Sequence, residues 1–348
     1  MSRQRRKGAI EDLQYNSFPS TKPAQLNETR GIFGKVVKTL VLSLIILYCL
    51  PVLLTYFSST VRHQLVFLNY LTNPFTNYNN LAEHGLKSRA TNLYITGNAG
   101  KLGIWHILAE GSTAINDGKP VVLYMHGNAY SRAAKHRVAT YKVLSALDCH
   151  VVAHDYRGFG DSEGIPSEQG IIQDSLTVFQ WILANTDNGP VYLWGHSLGS
   201  GVAVALSKIL TEKNIPVMGI ILEAPFNNMR EGALYHPLSA PYKFLPFFQD
   251  ALQEINGLFK NDEIITSIKY DILMLHDHGD EIVKMDLGKK LYEAAVKHKR
   301  EYQTIIFKEL RGYSHTTIYS APNLPEILRN FMKLEQIGKT NADDSEQS

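Results

Sequence analysis

The pentapeptide Gly-His-Ser-Leu-Gly at residues 195–199 constrains the fold more than any other feature of this 348-residue chain. The apolar run at 191–194 predicts a buried strand, and residues 200–213 carry apolar side chains at helical spacing. A tight strand-to-helix turn strains its central residue, and Gly195 and Gly199 let strand and helix approach closely. The pattern predicts a nucleophile elbow that presents the Ser197 hydroxyl at a helix N-terminus.

A serine nucleophile needs a base and an acid that orients the base, and after an elbow these follow in the order acid, then histidine. Residues 270–275 predict a buried strand, and the turn after it contains Asp277 and Asp280. We favour Asp280 as the acid because it follows Gly279 within the turn, and Asp277 is the alternative. Either carboxylate would otherwise act as an N-cap for a helix predicted at 284–297.

His315 is the candidate base because it is the only histidine after the last predicted strand, at 302–307. It lies in a loop before a helix predicted near 324–334. Other histidines have less suitable positions. His298 lies on a charged helical face and should be exposed, whereas His196, inside the elbow, should shape the turn.

Acyl transfer also needs N–H donors for the oxyanion. The first candidate is the backbone N–H of Leu198, directly after the nucleophile. The second comes from the loop after a strand predicted at 121–125, which reads His-Gly-Asn-Ala at 126–129. We assign it to the backbone N–H of Asn128, and an ordinary strand-to-helix turn is the alternative for this loop.

Short apolar runs and helical patterns alternate from residue 121 to residue 334. This alternation predicts a mostly parallel sheet with helices on both faces, preceded by an antiparallel hairpin of 92–96 and 102–107. Together with the elbow, it predicts an α/β-hydrolase fold for residues 91–337. The sequence has no Cys-x-x-Cys pair, His-Glu-x-x-His, Walker A or dinucleotide fingerprint, so we expect neither metal nor cofactor.

An apolar stretch at 36–57 is the second strong feature, and its core from Thr39 to Tyr56 contains no charged residue. Because this length suits one crossing of about 30 Å of hydrocarbon, we predict a transmembrane anchor with a candidate kink at Pro51. A cleaved signal peptide is one alternative, although its apolar region would be shorter and nearer the N-terminus. A buried core helix is the other.

The distribution of basic residues predicts the orientation of this anchor. Only Arg62 lies just beyond it, whereas the residues before it include Arg3, Arg5, Arg6, Lys7, Lys22, Arg30 and Lys35. The positive-inside rule therefore predicts a cytosolic tail at 1–35 and a catalytic domain on the other side of the membrane. The formal net charge of +2 gives no reason to expect nucleic acid as a partner.

Residues 58–90 form a predicted juxtamembrane segment. Its apolar run at 65–71 either lies at the bilayer interface or packs against the hydrolase domain. Residues 338–348 are polar and predict a disordered tail. The two cysteines identify no redox compartment, and the sequence leaves the oligomeric state open.

Aromatic residues and prolines break the alternation of strands and helices between residues 226 and 268. The aromatic residues include Tyr235, Phe244, Phe247, Phe248 and Phe259. Such an insertion at the carboxyl edge of the sheet predicts a lid, and plain core packing is the alternative. Combined with a membrane anchor, an apolar lid favours a lipid acyl substrate taken from the bilayer.

Several motifs together resemble the α/β-hydrolase-domain-containing protein twelve family, whose members are membrane lysophosphatidylserine lipases that also cleave monoacylglycerols. The resemblance covers nearly the whole chain. It rests on Leu-Gly-Ile-Trp-His at 102–106, His-Gly-Asn-Ala at 126–129, His-Arg at 136–137, Tyr-Lys-Val-Leu-Ser at 141–145, Asp-Tyr-Arg-Gly at 155–158, Trp-Gly-His-Ser-Leu-Gly at 194–199, Leu-Glu-Ala-Pro-Phe at 222–226, Gly-Tyr-Ser-His at 312–315 and Pro-Asn-Leu-Pro-Glu-Ile-Leu-Arg at 322–329.

The resemblance implies a single-pass endoplasmic reticulum protein with a lumenal active site, and it places the family's nucleophile, acid and base at Ser197, Asp280 and His315. The sequence departs from the family pattern at three positions. Tyr130 stands where the family tends to have glycine, and Glu281 and Lys284 replace prolines around the acid. These departures concern substrate preference more than the triad.

Two other functions remain as alternatives. The first is a protein depalmitoylase, because a serine that attacks an ester also attacks a thioester. The second is a catalytically inactive, membrane-anchored binding protein on a hydrolase fold. The complete Ser, Asp and His set opposes the second alternative, and a lumenal domain would oppose the first.

Overall fold

The computed structural model describes residues 23–86, 89–187 and 189–334, with side chains described from Arg30 onward. The chain divides into one unit that ends at Pro51 and a second that begins at Val52. Most of the predicted cytosolic tail, and all of the predicted disordered tail at 338–348, lie outside the described residues.

The N-terminal helix α1 (Pro23–Phe57) begins ahead of the predicted apolar stretch and continues through Pro51. Its portion Arg30–Phe57 is 28 residues long and apolar enough to cross a membrane. At about 1.5 Å per residue, such a helix exceeds the hydrocarbon thickness of about 30 Å. Its large apolar side chains are mostly exposed, which argues against a core helix. The helix is compatible with a single-pass membrane protein.

The second unit begins within the last turns of α1 and continues with the short helix α2 (Ser59–Val66) and the hairpin of β1 (Ala90–Gly97) and β2 (Gly100–Ile107). From there strands and helices alternate. In chain order they are β3 (Val121–Met125), α3 (Lys135–Ala146), β4 (His150–His154), α4 (Glu168–Asn185), β5 (Val191–His196), α5 (Leu198–Glu212), β6 (Gly219–Glu223), α6 (Met229–Tyr235), α7 (Pro246–Gln253), α8 (Asn261–Ile264), β7 (Ile272–Asp277), α9 (Met285–Lys297), β8 (Ile305–Leu310) and α10 (Leu324–Met332). Short 3₁₀ helices occupy Pro237–Tyr242, Ile265–Ser267 and Ile318–Ser320.

The strands form one eight-stranded sheet in the order β1-β2-β4-β3-β5-β6-β7-β8. The β1–β2 and β2–β4 pairs are antiparallel, and every other pair is parallel. The predicted entry hairpin and mostly parallel sheet are therefore confirmed. In the register, Met125 lies beside Gly195, and His196 lies beside Glu223. The loops after β3, β5 and β6 consequently leave the same carboxyl edge.

Side chains alternate between the two faces of the sheet, and each face has its own apolar core. Along β5, Leu193 packs into the core that contains helices α4, α5 and α9, whereas Tyr192 and Trp194 pack into the core of α3 and α10. All three side chains are buried. Covering both faces leaves the edges and the end loops as the places where a substrate can reach polar groups.

The aromatic insertion lies between β6 and β7, as predicted, and it contains both exposed and buried rings. Phe244 is 92% exposed and Phe247 is 49% exposed, whereas Phe248 and Phe259 are buried. The insertion thus combines core packing with an exposed apolar surface. The run at 65–71 has the same double character, because Phe67 is buried and Tyr70 is exposed.

Candidate active site

Ser197 occupies the sharp turn between β5 and α5, with φ 53° and ψ −118°. This backbone region is costly for a residue with a side chain, by about 1–3 kcal/mol. A Cβ at Gly195 would overlap the backbone of Gly199, and a Cβ at Gly199 would overlap the carbonyl of Met125. The two glycines therefore permit the contact between strand and helix that the sequence predicted. The Ser197 N–H donates to the carbonyl of Glu223 at 2.9 Å, which fixes the turn to β6.

Asp280 and His315 meet at the carboxyl edge of the sheet. The Nδ1 atom of His315 lies 2.8 Å from Oδ2 of Asp280, within hydrogen-bond distance. The other oxygen, Oδ1, accepts the backbone N–H groups of Ile282 and Val283 at 2.9 Å each. The carboxylate is buried, so its orientation is determined by these partners.

The electrostatics keep Asp280 ionised. Burial alone would raise the pKa of its carboxyl group, but hydrogen bonds from His276, His315 and the Val283 N–H lower that pKa well below its ordinary value. The Nε2 atom of His276 lies 3.5 Å from Oδ2 of Asp280 and 2.9 Å from the Val283 carbonyl. An ionised carboxylate in this position can stabilise a protonated His315 imidazole.

The alternative acid, Asp277, has backbone partners. It accepts the Gly279 N–H at 2.8 Å and the Tyr313 N–H at 2.9 Å, so it ties the turn after β7 to the loop that contains His315. Neither carboxylate caps α9, because the N-cap of that helix is Lys284.

His196 connects the elbow to the loop that contains His315. The sequence predicted only that His196 shapes the turn. Its Nε2 lies 2.9 Å from the backbone carbonyl of His315, and the two rings lie 5.0 Å apart between centroids. Burial, with the neighbouring His315 and His136, lowers the pKa of His196 well below its ordinary value. His196 directly precedes Ser197. A neutral His196 that donates from Nε2 therefore holds the loop of the candidate base beside the elbow.

The loop after β3 runs directly past the nucleophile. A Cβ on Gly127 would lie 3.2 Å from the Cβ of Ser197 and 2.8 Å from Nδ1 of His196, so only glycine fits there without displacement. The loop continues through Asn128 to Ala129 and Tyr130, which have φ values of 61° and 56°. These left-handed values explain why glycine suits the position of Tyr130 better than tyrosine does.

Arg137 is a buried residue that sequence analysis did not single out for this site. Its guanidinium donates to the carbonyls of Ser131, Gly127 and Ala129 at 2.7, 2.9 and 2.8 Å. In a trans peptide the N–H points opposite to the C=O, so the Asn128 N–H, which shares a peptide group with the Gly127 carbonyl, is directed away from Arg137. The available sequence signal was the His-Arg pair itself, at the start of the helix after the loop.

Glu223 is the second residue that sequence analysis missed. Its side chain is buried at the end of β6, where Oε2 accepts Trp194 Nε1–H at 3.0 Å. Burial, reinforced by the charge of Asp280, raises the pKa of Glu223 to about 7. The group can therefore change its charge near neutral pH, next to the elbow.

Among residues 23–86, 89–187 and 189–334, no group of three or more His, Cys, Asp or Glu side chains is arranged to hold a metal ion. The chemistry available to the described residues is that of a serine, two candidate backbone donors, a histidine and a carboxylate.

Comparison with known proteins identifies the family. Residues 116–257 match the hydrolase family described as serine aminopeptidase, S33. The chain is 38% identical over 326 residues to lysophosphatidylserine lipase ABHD12 of Danio rerio, covering 87% of this chain and 85% of that protein. The chain belongs to the ABHD12 family. Protein ABHD12B of Homo sapiens is 39% identical over 291 residues, covering 77% of this chain and 79% of that protein.

Solved structures have the same fold as this ABHD12-family chain. An alpha-beta hydrolase from Vibrio vulnificus superposes with a TM-score of 0.61 at 19% identity, covering 72% of this chain and 84% of that one. The predicted α/β-hydrolase fold is confirmed. Membership of the ABHD12 family also makes the protein a hydrolase of the lipase and esterase type.

Proposed function

We propose that the protein is a membrane-anchored serine hydrolase that cleaves the acyl ester of lysophospholipids, with lysophosphatidylserine as the favoured class and monoacylglycerols as further substrates. Ser197 is the nucleophile, His315 the base and Asp280 the acid. The hydrogen bond of 2.8 Å between His315 and the buried Asp280, next to the elbow of Ser197, is the observation that carries the proposal.

In the first half-reaction, Ser197 Oγ attacks the acyl carbonyl carbon while its proton passes to His315. The N–H groups of Leu198 and Asn128 stabilise the oxyanion, and losing one such donor typically costs about 2.7–4 kcal/mol. The intermediate then collapses, and the glycerol oxygen leaves with the proton from His315. Water attacks the acyl-enzyme with His315 again as base, which releases the fatty acid and regenerates Ser197. None of these steps uses a metal or cofactor.

Two observations support a lipid substrate. The relatives named lysophosphatidylserine lipase match this chain over most of its length. The insertion after β6 exposes Phe244 and Phe247 to solvent, and an apolar surface of this kind suits an acyl chain. Protein ABHD12B is about as similar to this chain as the relatives named lysophosphatidylserine lipase are. The head-group preference is therefore to be measured directly.

The decisive test compares wild-type full-length protein in membranes with Ser197→Ala. A fluorophosphonate probe should label only the wild type, and only the wild type should release fatty acid from lysophosphatidylserine in vesicles. Lysophosphatidylcholine and a monoacylglycerol, assayed in parallel, report head-group preference. Equal labelling of the two proteins would remove Ser197 as nucleophile.

We further propose that the protein resides in the endoplasmic reticulum membrane with its catalytic domain in the lumen. The excess of Lys and Arg before the apolar helix supports this orientation. In sealed microsomes, protease should then spare the chain beyond about residue 57 until detergent is added. Digestion without detergent would reverse the orientation and favour the depalmitoylase alternative, because palmitoylated cysteines face the cytosol.

A further inference from the structure

The loop beside Ser197 is hydrogen-bonded to a distant part of the chain, the juxtamembrane segment. The side-chain amide of Asn128 donates from Nδ2 to the carbonyl of Val66 at 2.8 Å and accepts the N–H of Leu68 on Oδ1 at 2.9 Å. It therefore pairs with the backbone on both sides of Phe67, as a neighbouring strand would. Only an amide offers a donor and an acceptor at this length, so the contact is specific for asparagine.

A second pair of contacts joins the same two segments. The backbone N–H of Tyr130 donates to the carbonyl of Leu71 at 3.2 Å, and Thr72 Oγ1 donates to the carbonyl of Tyr130 at 3.3 Å. The loop is thus tied to the segment at residues 128 and 130, on both sides of Ala129. Because Ala129 and Tyr130 have left-handed backbones, the loop keeps this path only where its surroundings impose it.

The juxtamembrane segment is itself fixed to the domain. Val66 and Phe67 are buried, and Asn69 Nδ2 donates to the carbonyl of Gly158 at 3.0 Å. Within the domain, Arg137 holds the carbonyls of Gly127 and Ala129. The loop is therefore held both by a buried arginine and by the docked segment, which contacts it at residues 128 and 130.

We propose that residues 66–72 are a structural part of the oxyanion loop, and that the Asn128 side chain is the positioning residue that joins them. The proposal rests on the proposed function, because it concerns the same Asn128 N–H that would bind the oxyanion. The segment that follows the predicted membrane anchor in the chain would then help to align the donor for the reaction. A misplacement of about 1 Å in such a site typically lowers the rate about 100-fold.

The test measures kcat and KM of the full-length, detergent-solubilised protein with p-nitrophenyl butyrate, a soluble ester that needs no bilayer. Asn128→Ala removes both side-chain hydrogen bonds to the segment, together with the bond of 3.1 Å from the Ala129 N–H to the same Oδ1, and keeps the backbone N–H of residue 128. We expect kcat to fall about 10- to 100-fold with KM changed less than about 3-fold, since the donor acts on the transition state. The rate of fluorophosphonate labelling should fall in parallel.

Arg62→Ala is the matched control. Arg62 lies in the same segment, but its side chain pairs with Glu254 at 3.1 Å and with the carbonyls of Thr55 and Tyr56, none of which belongs to the loop. Its kcat should stay within about 2-fold of wild type. A kcat for Asn128→Ala within 2-fold of wild type, or an equal loss in Arg62→Ala, would overturn the proposal.

If Asn128→Ala does not fold, Thr72→Val provides the decision, because it replaces with a methyl group the hydroxyl whose proton is shared between the carbonyl of Tyr130 at 3.3 Å and that of Asn69 at 3.0 Å. A fall in kcat of about 2- to 5-fold at unchanged KM supports the proposal, and an unchanged kcat overturns it. These assays need only a soluble ester. If Ser197→Ala abolishes ester cleavage but lysophosphatidylserine is not a substrate, the substrate assignment fails while the Asn128 comparison still stands.

Discussion

The carboxyl edge of the sheet and the aromatic insertion above it are built in opposite ways. At the edge, polar side chains such as Asp280, Glu223 and His196 are buried, and each has a defined hydrogen-bond partner. In the insertion, Phe244 and Phe247 are exposed. Under the proposed function, the edge would provide the fixed geometry that acyl transfer needs, whereas the insertion and the proposed anchor would provide apolar surface for an acyl chain. Substitutions should therefore separate chemistry from substrate capture.

The largest effect should come from the acid. Asp280→Asn keeps the shape of the side chain but removes the charge that stabilises a protonated His315, so kcat should fall about 10⁴-fold on soluble and lipid esters alike. Asp277→Asn is the matched control, because the described hydrogen bonds of the Asp277 carboxylate come only from the backbone N–H groups of Gly279 and Tyr313. It should lower the melting temperature and leave most of kcat intact. Steady-state kinetics on both variants measures the difference. If Asp277→Asn were the inactive variant, Asp277 would be the acid in place of Asp280.

The insertion should show the reverse behaviour. Phe247→Ala removes a half-exposed ring, so it should leave short-ester cleavage unchanged and lower the kcat/KM for a long-chain lysophospholipid in vesicles about 3- to 10-fold. Deletion of the residues before about Thr60 should act in the same direction, because it removes the proposed bilayer anchor and retains residues 66–72. The ratio of long-chain to short-chain kcat/KM is the quantity to measure.

Phe248→Ala is the matched variant for Phe247→Ala, one residue away. Its ring is only 8% exposed and belongs to the apolar core. Truncating a buried phenylalanine typically costs about 3–5 kcal/mol of stability. Denaturant unfolding should therefore separate it from Phe247→Ala. If both variants lower the kcat/KM for the long-chain and the short-chain substrate by the same factor, the insertion only supports folding and does not select the substrate.

The fold and the elbow were predictable because their signals are local. Gly195, Gly199 and the apolar runs around them belong to one continuous stretch, and the alternation of strands and helices repeats along the chain. The sequence alone does not separate Asp280 from Asp277, because both lie in one turn and only the path of the backbone decides which carboxylate faces His315.

The side-chain roles that sequence analysis missed depend on contacts between distant segments. The Asn128 side chain reaches Val66, 62 residues earlier in the chain, and no periodicity connects those positions. Glu223 appeared as part of a motif, but its burial depends on how β5 and β6 pair and on the position of Trp194. Patterns of this kind become visible only when the sheet is assembled.

The smallest expected effect concerns Glu223, which lies at the carboxyl edge but takes no part in the proposed chemistry. Burial raises its pKa to about 7, whereas the pKa of a glutamate in the unfolded chain is about 4.3. The native state therefore holds this proton more tightly than the unfolded state does. The resulting stabilisation is complete below about pH 4.3 and is lost as the pH rises towards 7.

Glu223→Gln removes this titration and keeps an oxygen to accept Trp194 Nε1–H. Relative to wild type, its free energy of unfolding should therefore increase between pH 5 and pH 8, by about 2 kcal/mol. Denaturant unfolding at the two pH values measures the difference, with Glu263→Gln as control because that carboxylate is exposed and paired with Lys260 at 3.1 Å. The depressed pKa of Asp280 acts in the opposite direction, but its contribution changes only in acid, as the pH falls from the ordinary aspartate pKa of about 3.9 to the lower native pKa, so it is constant across this window. Parallel pH profiles for wild type and Glu223→Gln would mean that Glu223 is ionised throughout, and that the edge tolerates a second buried charge beside Asp280.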